Sequence, residues 1–242
     1  MWNEKLVKYG GIAGVITAQC LIVTVVANAS ASLPTFKFEN AETFIRQLYD
    51  ARAIMAAYGW TGLLGIAFMV PFTLGLYEVL RRQGTIVMVG VAAMFVGMLA
   101  MGLSYVLTLV GTLDLAPHFI GGTEDLRATT IILSSALWKA NGIVLFAGGL
   151  SSFGIATLIF SILSLRTQEI PVWIGRMGIG AASLSVFWMG LLLPNSTMFV
   201  PFISINILAN VIWIIALGLV MMREIETVPV PAPGLARANR SV

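Results

Sequence analysis

The segment TIVMVGVAAMFVGMLAMGLSYVLTLVG, residues 85–111, contains no charged side chain. About 20 consecutive apolar residues, rising about 1.5 Å each, allow an α-helix to cross the hydrocarbon core of a bilayer. The chain holds further runs of this kind, and together the six runs cover residues 9–29, 54–77, 85–111, 142–165, 174–193 and 199–222. The sequence therefore predicts an all-α fold, a polytopic transmembrane helix bundle with six spans.

The composition supports a membrane protein. Hydrophobic residues make up 58% of the 242-residue chain and charged residues only 10%, whereas a soluble domain carries about 25% charged residues. The lysines and arginines form no patch or helical stripe of the kind that DNA binding needs, so no nucleic-acid partner is expected. Membrane lipids are the expected partners, and the expected location is the plasma (inner) membrane, as a multi-pass protein.

The basic residues mark the ends of the apolar runs. With the N-terminus in the cytoplasm, nine lysines and arginines lie on the inner side and five on the outer side. This asymmetry predicts that both termini are cytoplasmic. Residues 1–224 are then a single helix-bundle domain. Residues 225–242, with prolines at 229, 231 and 233, are predicted to form a disordered cytoplasmic tail.

The first apolar run has two interpretations. Lys5 and Lys8, the apolar run and the segment 26–30 together resemble a signal peptide with an Ala-x-Ala cleavage site. The run is long for a signal peptide, however, and the small residues Gly10 and Gly14 are spaced for close helix packing. The sequence favours a retained first span, and cleavage stays the alternative.

The segment SALWKANGIVLF, residues 135–146, places a lysine in an apolar surrounding. Lys139 lies 27 residues before Arg166, about 40 Å along a helix, whereas the hydrocarbon core is about 30 Å thick. We therefore expect Lys139 at the outer interface, with Trp138 in the aromatic belt. The apolar residues 126–138 either form a separate interfacial helix that breaks near residues 141–142, or extend the fourth span outward.

Short interfacial helices are expected on the outer face. Residues 38–46 predict one that Asn40 caps, with an apolar side that includes Phe44 and Ile45 and lies on the bilayer. Polar residues of both outer loops then form a candidate outer-face pocket, although they could equally solvate the loops and pair with each other. The members of this set are Arg46, Asp50, Arg52, Asp114, His118, Glu124, Asp125, Arg127, Lys139 and Asn141.

A second candidate site is a polar cavity within the membrane. Asn206, Asn210 and Trp213 share one face of the last span. Asparagine in hydrocarbon must turn inward and form hydrogen bonds across helices, so these side chains either hold the bundle together or line a solute path. Gln19 and Asn28 in the first span have the same two interpretations.

No catalytic, metal or cofactor site is expected from the sequence. The chain has one cysteine and one histidine, fewer ligands than a haem, di-iron or cupredoxin-like copper site needs. Glu78 is expected to pair with Arg81 or Arg82, which follow it by three and four residues. No other acidic residue falls within a predicted span, which weakens the hypothesis of ion-coupled transport.

Three segments carry a resemblance to a known family. They are Gly10-Gly11-Ile12-Ala13-Gly14 at the first span, Leu76-Tyr77-Glu78-Val79-Leu80-Arg81 at the end of the second, and Ile170-Pro171-Val172-Trp173-Ile174-Gly175-Arg176-Met177-Gly178 before the fifth. With them the chain resembles a loosely defined family of short bacterial multi-pass proteins of unknown function. The resemblance implies an integral membrane protein with about six helices and transfers no active site.

Three functional hypotheses remain from the sequence. The first is a non-catalytic membrane protein, either an accessory or assembly subunit of a membrane complex with a protein partner, or a binder of lipid or another hydrophobic molecule. The second is a small-solute channel or transporter that uses the polar faces of spans one and six. The third is a lipid- or isoprenoid-modifying enzyme that uses Asp114, His118 or the pair Glu124 and Asp125.

Overall fold

A computed structural model describes residues 3–31, 40–167, 169–191 and 199–223. Within these ranges the chain is almost entirely helical and contains no strand, which confirms the all-α prediction. The helices are α1 Glu4–Ala31, α2 Ala41–Asp50, α3 Arg52–Leu80, α4 Ile86–Val110, α5 Ala116–Gly121, α6 Glu124–Gly149, α7 Thr157–Ser164, α8 Val172–Leu191 and α9 Phe199–Arg223.

Five helical segments in the described part of the chain are long and apolar enough to cross a membrane. They are Glu4–Ala31, Arg52–Gln83, Ile86–Gly121, Glu124–Ser164 and Ile205–Arg223. Residues Val172–Phe187 of α8 form a shorter apolar helix. The membrane-spanning character is therefore confirmed, whereas the count of six spans, the single domain and the cytoplasmic termini stay predictions. The predicted tail, 225–242, lies outside the described residues.

Helix α1 lies between α3 and α9, and glycines allow backbone contact on both sides. A Cβ atom at Gly10 would lie 2.8 Å from the Cα atom of Gly75 and 2.9 Å from the carbonyl oxygen of Pro71. A Cβ atom at Gly11 would lie 2.6 Å from the carbonyl oxygen of Gly218. The small residues of α1 are thus the contact surface of the bundle, as their spacing predicts.

Glu78, near the C-terminal end of α3, ties this helix to the start of α1. The backbone N–H of Asn3 donates a hydrogen bond to Glu78 Oε1 at 2.8 Å, and Arg81 Nη2 lies 3.1 Å from the same oxygen. Glu78 is buried. The expected pairing of Glu78 with the arginines that follow it is therefore present for Arg81.

The fourth span is one long helical segment. Helix α6 continues through π-helical turns at Leu150–Ala156 into α7, so Glu124–Ser164 contains 41 residues. That is about 60 Å, twice the thickness of the hydrocarbon core. The helix has no break at residues 141–142, so the outward extension of the fourth span is the correct alternative for residues 126–138.

Helix α4 extends in the same direction. It continues through π-helical turns at Gly111–Leu115 into α5, and α5 turns back into α6. The two long segments contact closely, because a Cβ atom at Gly97 of α4 would lie 2.8 Å from the carbonyl oxygen of Gly148. They form a helical hairpin. We call its end, with α2, the outer face of the bundle, and its placement outside the cell remains a prediction.

Helix α2 packs on this hairpin. Asn40 Oδ1 accepts hydrogen bonds from the backbone N–H groups of Glu42 and Thr43 at 2.9 and 3.3 Å, which is the expected N-cap. The apolar side of α2 is buried against protein, and the Phe44 ring lies 4.8 Å from the Trp138 ring of α6. The sequence indicated a bilayer contact for this side, but the hairpin supplies an apolar surface that covers it.

The close approach at Gly10 predicts opposite effects for two glycine substitutions. Gly10→Ala adds a methyl group that meets fixed backbone atoms, and overpacking of this kind costs about 1–3 kcal/mol. Gly180 of α8 is exposed and has no heavy atom within 4 Å of the added methyl group. We expect Gly10→Ala to lower the midpoint of thermal unfolding in detergent and Gly180→Ala to leave it equal or raise it. Equal midpoints for the two variants would contradict this packing.

Candidate functional site

An open pocket of about 280 Å³ lies at the tip of the outer hairpin. Leu113 on its wall follows Ile86, the first residue of α4, by 27 residues, or about 40 Å along the helix. This distance corresponds to the headgroup region of a bilayer that begins near Ile86. We call the cavity the tip pocket, and its lining residues are Leu113, Asp114, Pro117, His118, Gly121, Gly122 and Leu126.

Asp114 and His118 are the polar side chains of the tip pocket. They lie one helical turn apart, and His118 Nδ1 is 3.3 Å from Asp114 Oδ1 and 2.7 Å from the Asp114 carbonyl oxygen. Both side chains are more than half exposed. The apolar wall beside them includes Leu113 and Leu126, which are also partly exposed. The pocket therefore offers one polar pair at the edge of an apolar surface.

Arg127 closes the turn beneath the pocket. Its Nε donates a hydrogen bond to the carbonyl oxygen of Phe119 at 3.1 Å, and its Nη2 donates to that of Ile120 at 3.2 Å. These carbonyls belong to the last turn of α5, where carbonyl groups have no N–H partner within the helix. Arg127 therefore holds α5 against α6 and does not line the tip pocket.

The other two arginines of the predicted set stabilise α2 and its junction with α3. Arg46 Nη2 lies 2.8 Å from Glu42 Oε1, and the Arg46 guanidinium lies 5.4 Å from the centre of the Phe119 ring. Arg52 donates to the carbonyl oxygen of Tyr49 at 3.1 Å and stacks over the Tyr49 ring at 4.3 Å. Both guanidiniums therefore bind groups of the outer face itself.

The remaining charged residues of the predicted set are exposed. Glu124 and Asp125 lie in the first turn of α6, where free N–H groups favour negative charge. Asp50 ends α2, and Lys139 is exposed on α6 beside the buried Trp138. In the part of the chain that the structure describes, none of these four forms a salt bridge. The structure thus brings Asp114 and His118 together and leaves the others apart.

Asn141 belongs to the helix interface and not to the outer pocket. Its Oδ1 accepts a hydrogen bond from Ser104 Oγ at 2.6 Å, and its Nδ2 donates to Thr108 Oγ1 at 3.1 Å. All three residues are buried, and they join α6 to α4. The sequence offers a signal for this cluster, since the hydroxyls are spaced i, i+4 in an otherwise apolar run.

Asn206 and Asn210 form a second buried polar cluster. Ser185 Oγ of α8 donates to Asn206 Oδ1 at 2.6 Å, and Asn210 Nδ2 donates to the same oxygen at 3.0 Å. Thr157 Oγ1 of α7 donates to Asn210 Oδ1 at 3.4 Å. The shared face that the spacing predicts is therefore real and includes the fully buried Trp213. The cluster connects three helices, which favours the role of holding the bundle together.

Several buried polar atoms near this cluster have no hydrogen-bond partner. They are Ser152 Oγ, Ser161 Oγ, Asn206 Nδ2 and Trp213 Nε1. A buried water accounts for atoms of this kind in many proteins. Gln19 and Asn28 do not extend the cluster, because Gln19 is exposed on α1 and Asn28 is partly buried further along the same helix. The four residues of the predicted polar cavity are therefore not assembled around one space.

The described residues contain no group of three or more His, Cys, Asp or Glu side chains that could hold a metal ion. Residues 10–221 match the model of a domain of unknown function, DUF4386. The chain belongs to this family. The DUF4386 match begins at the packing glycine of α1 and ends near the end of α9, so it takes in nearly all of the described bundle. The comparisons with curated proteins and with solved structures found no match.

The Asn141 cluster predicts a measurable effect on stability. Asn141→Ala removes two hydrogen bonds between α4 and α6, and such bonds in membranes are worth about 0.6 kcal/mol each on average. Lys139→Ala is the matched control, since Lys139 is exposed on the same helix two residues away. We expect Asn141→Ala to lower the free energy of unfolding in detergent by about 1 kcal/mol and Lys139→Ala to leave it unchanged. An equal loss in both variants would show that the cluster does not stabilise the interface.

Proposed function

We propose that this DUF4386 protein is a non-catalytic membrane protein that binds a lipid or another amphipathic molecule in the tip pocket. The observation that carries the proposal is an apolar pocket with one polar pair, Asp114 and His118, that begins at about the depth of the lipid headgroups and continues outward. The excess of basic residues at the other end of the bundle supports an orientation with the pocket on the outer side of the membrane, which we propose is the plasma membrane.

The shape of the pocket suits one end of an amphipathic molecule. Small-molecule sites enclose about 300–1,000 Å³, so an open pocket of about 280 Å³ has room for one end of such a molecule and not for a whole lipid. Leu113 and Leu126 provide apolar contacts, and the imidazole and carboxylate of the polar pair provide hydrogen-bonding groups. Both leucines are partly exposed, which leaves an apolar path from the pocket toward the bilayer.

Binding without turnover fits the chemistry of the wall. The seven lining residues include no hydroxyl, thiol or amine that could act as a nucleophile. His118 Nδ1 is held by the carbonyl oxygen and carboxylate of Asp114, one turn away on the same helix. The lipid-modifying enzyme of the sequence-based hypotheses would have to use this pair alone, as acid and base or as nucleophile.

A role as an accessory subunit is the second candidate, and one observation favours it. Ile132 and Leu133 are 73% and 49% exposed on the outward extension of α6. Ile132 lies 34 residues before Arg166, or about 50 Å along the helix, so this apolar surface is beyond the hydrocarbon core. Exposed apolar surface beyond the hydrocarbon core is typical of a contact with another protein.

The proposal for the tip pocket is tested with two matched glycine variants. Gly121 lines the pocket, and a Cβ atom there has no heavy atom within 4 Å, so Gly121→Leu places a large side chain at the pocket wall with open space at its first atom. Gly180→Leu adds the same side chain at an equally open position of α8. Both variants and the unchanged protein are purified from native membranes in mild detergent, and the retained lipid is measured by mass spectrometry.

We expect a stoichiometric lipid or other amphipathic molecule on the unchanged protein and on Gly180→Leu. Retention by Gly121→Leu should fall about tenfold, which corresponds to a loss of about 1.4 kcal/mol. His118→Ala should lower retention as well, because it removes half of the polar pair. Equal retention by all variants would exclude the tip pocket as the site, and a stoichiometric co-purified protein without lipid would favour the accessory subunit.

A further inference from the structure

Helix α1 has a face that no other helix of the described chain covers. Its glycine face contacts α3 and α9, as described above, whereas Ile12, Ile22 and Val26 are 39%, 42% and 58% exposed. Gln19 is exposed on the same side. Apolar exposure of this kind is ordinary for a helix in lipid, but a glutamine among these residues is not.

Gln19 lies near the middle of the span. It follows Lys8 by 11 residues and precedes Ala31, the last residue of α1, by 12, so it is about 16–18 Å from either end. A side chain of this length does not reach water from that depth. Within the described part of the chain its amide forms no hydrogen bond. By contrast, the hydroxyl of Thr61 at the surface of α3 donates to the carbonyl oxygen of Ala57 in its own helix.

An amide in hydrocarbon therefore needs a partner from outside the described part of the chain, and a second molecule can supply one. It carries two donor hydrogens and an acceptor oxygen, and interhelical hydrogen bonds of Gln and Asn side chains promote helix association in membranes. The glycines of α1 cannot serve this association, because they already contact α3 and α9. The contact must use the exposed face that contains Gln19.

The spacing of this face is that of a helix pair. Ile12, Gln19 and Val26 follow one another at seven residues, and Val15, Ile22 and Ala29 do the same three residues later. These are the a and d positions of a heptad repeat, in which a single polar a residue fixes the register of the two helices. We call these six residues the Gln19 face: Ile12, Val15, Gln19, Ile22, Val26 and Ala29. Five of them are exposed, whereas Val15 is half-buried because it also lies beside Gly218 of α9.

We propose that two copies of this chain associate in parallel through the Gln19 face, with the two Gln19 amides hydrogen-bonded to each other. A two-fold axis along the membrane normal keeps both copies in the same orientation and brings each a residue to the same depth as its counterpart. An amide both donates and accepts hydrogen bonds. Gln19 of one copy can therefore donate to Gln19 of the other and accept from it. A different protein would need a suitable polar group at that depth.

The positive charge at the start of α1 restricts the contact between the two copies to the part of the helix within the membrane. Lys5 and Lys8 are exposed and continue the same heptad positions toward the N-terminus, so they would face their counterparts in a parallel pair. Both lie at the aqueous end of the helix, where like charges are screened by salt. The pairing therefore extends over residues 12–29 and opens at the basic end.

The first test measures association of the full-length protein in phosphatidylcholine proteoliposomes. Donor- and acceptor-labelled copies are diluted with lipid, and energy transfer gives the fraction of dimer. Gln19→Leu keeps an apolar side chain but removes the amide pair, and Gln19→Asn keeps an amide. Ser183→Leu is the matched control, since it removes an exposed polar side chain from α8.

We expect the dimer of Gln19→Leu to be about five- to tenfold weaker than that of the unchanged protein, on the basis of two membrane hydrogen bonds. Gln19→Asn should associate almost normally and Ser183→Leu normally. Thermal unfolding of each variant in detergent, where the chain is diluted to monomers, should be unchanged and shows that folding is intact. Equal association of Gln19→Leu and the unchanged protein would overturn the proposal.

The second test locates the contact by disulfide crosslinking in native membranes. Cys20 is the single cysteine of the chain, so Cys20→Ala provides a background for Ile12→Cys and Val26→Cys. Leu99→Cys on α4, at 75% exposure, is the lipid-facing control. We expect homodimers from positions 12 and 26 and none from position 99. Crosslinks from 12 and 26 to a different protein alone, or dimers from all three positions alike, would exclude the second copy as the occupant.

Discussion

The bundle depends on backbone contact at glycines, because the hydrophobic effect does not draw helices together inside lipid. Three such contacts fix the arrangement: Gly10 with Gly75, Gly11 with Gly218, and Gly97 with Gly148. The first two hold α1 between α3 and α9, and the third holds the two long segments of the hairpin together. At each contact the absence of a side chain lets the two helix backbones approach, so that dispersion forces and backbone dipoles act between them. A larger side chain would keep the backbones apart. The asparagine clusters act after this approach, since their side chains are short and only meet hydroxyls on helices that are already close.

The length of the hairpin determines what the outer face contains. Because Ile86–Gly121 and Glu124–Ser164 are both longer than the hydrocarbon core is thick, their ends form a surface beyond it. Helix α2 packs against that surface at Trp138, and α5 turns back there and forms a wall of the tip pocket. The tip pocket and the packing of α2 on the hairpin thus have the same cause, which is the outward continuation of spans three and four.

The sequence predicts the parts of the fold that depend on local rules. Apolar length identifies the membrane-spanning helices, Asn40 identifies the start of α2, and the spacing of Gly10 and Gly14 identifies a packing face. The candidate outer-face set is harder, because whether a loop residue lines a pocket depends on the path of the chain between the helices. Arg127 shows the difficulty: its charge indicates a ligand contact, but it binds the last carbonyls of α5. Leu113 and Leu126 carry no signal at all, since apolar residues are common throughout this chain.

The amides of the membrane interior show why hydrophobic periodicity is a weak guide here. In a soluble helix, one polar and one apolar side reveal which residues face the core. In a membrane both the protein interior and the lipid are apolar, so that contrast disappears. Asn206 and Gln19 look equivalent in the sequence, yet Asn206 is buried among hydroxyls and Gln19 faces outward. The distinction comes from the glycines: they define the inner side of α1, and Gln19 lies on the side that they do not occupy. An outward amide is therefore evidence of a contact between molecules, in the same way that an inward amide is evidence of a contact within one.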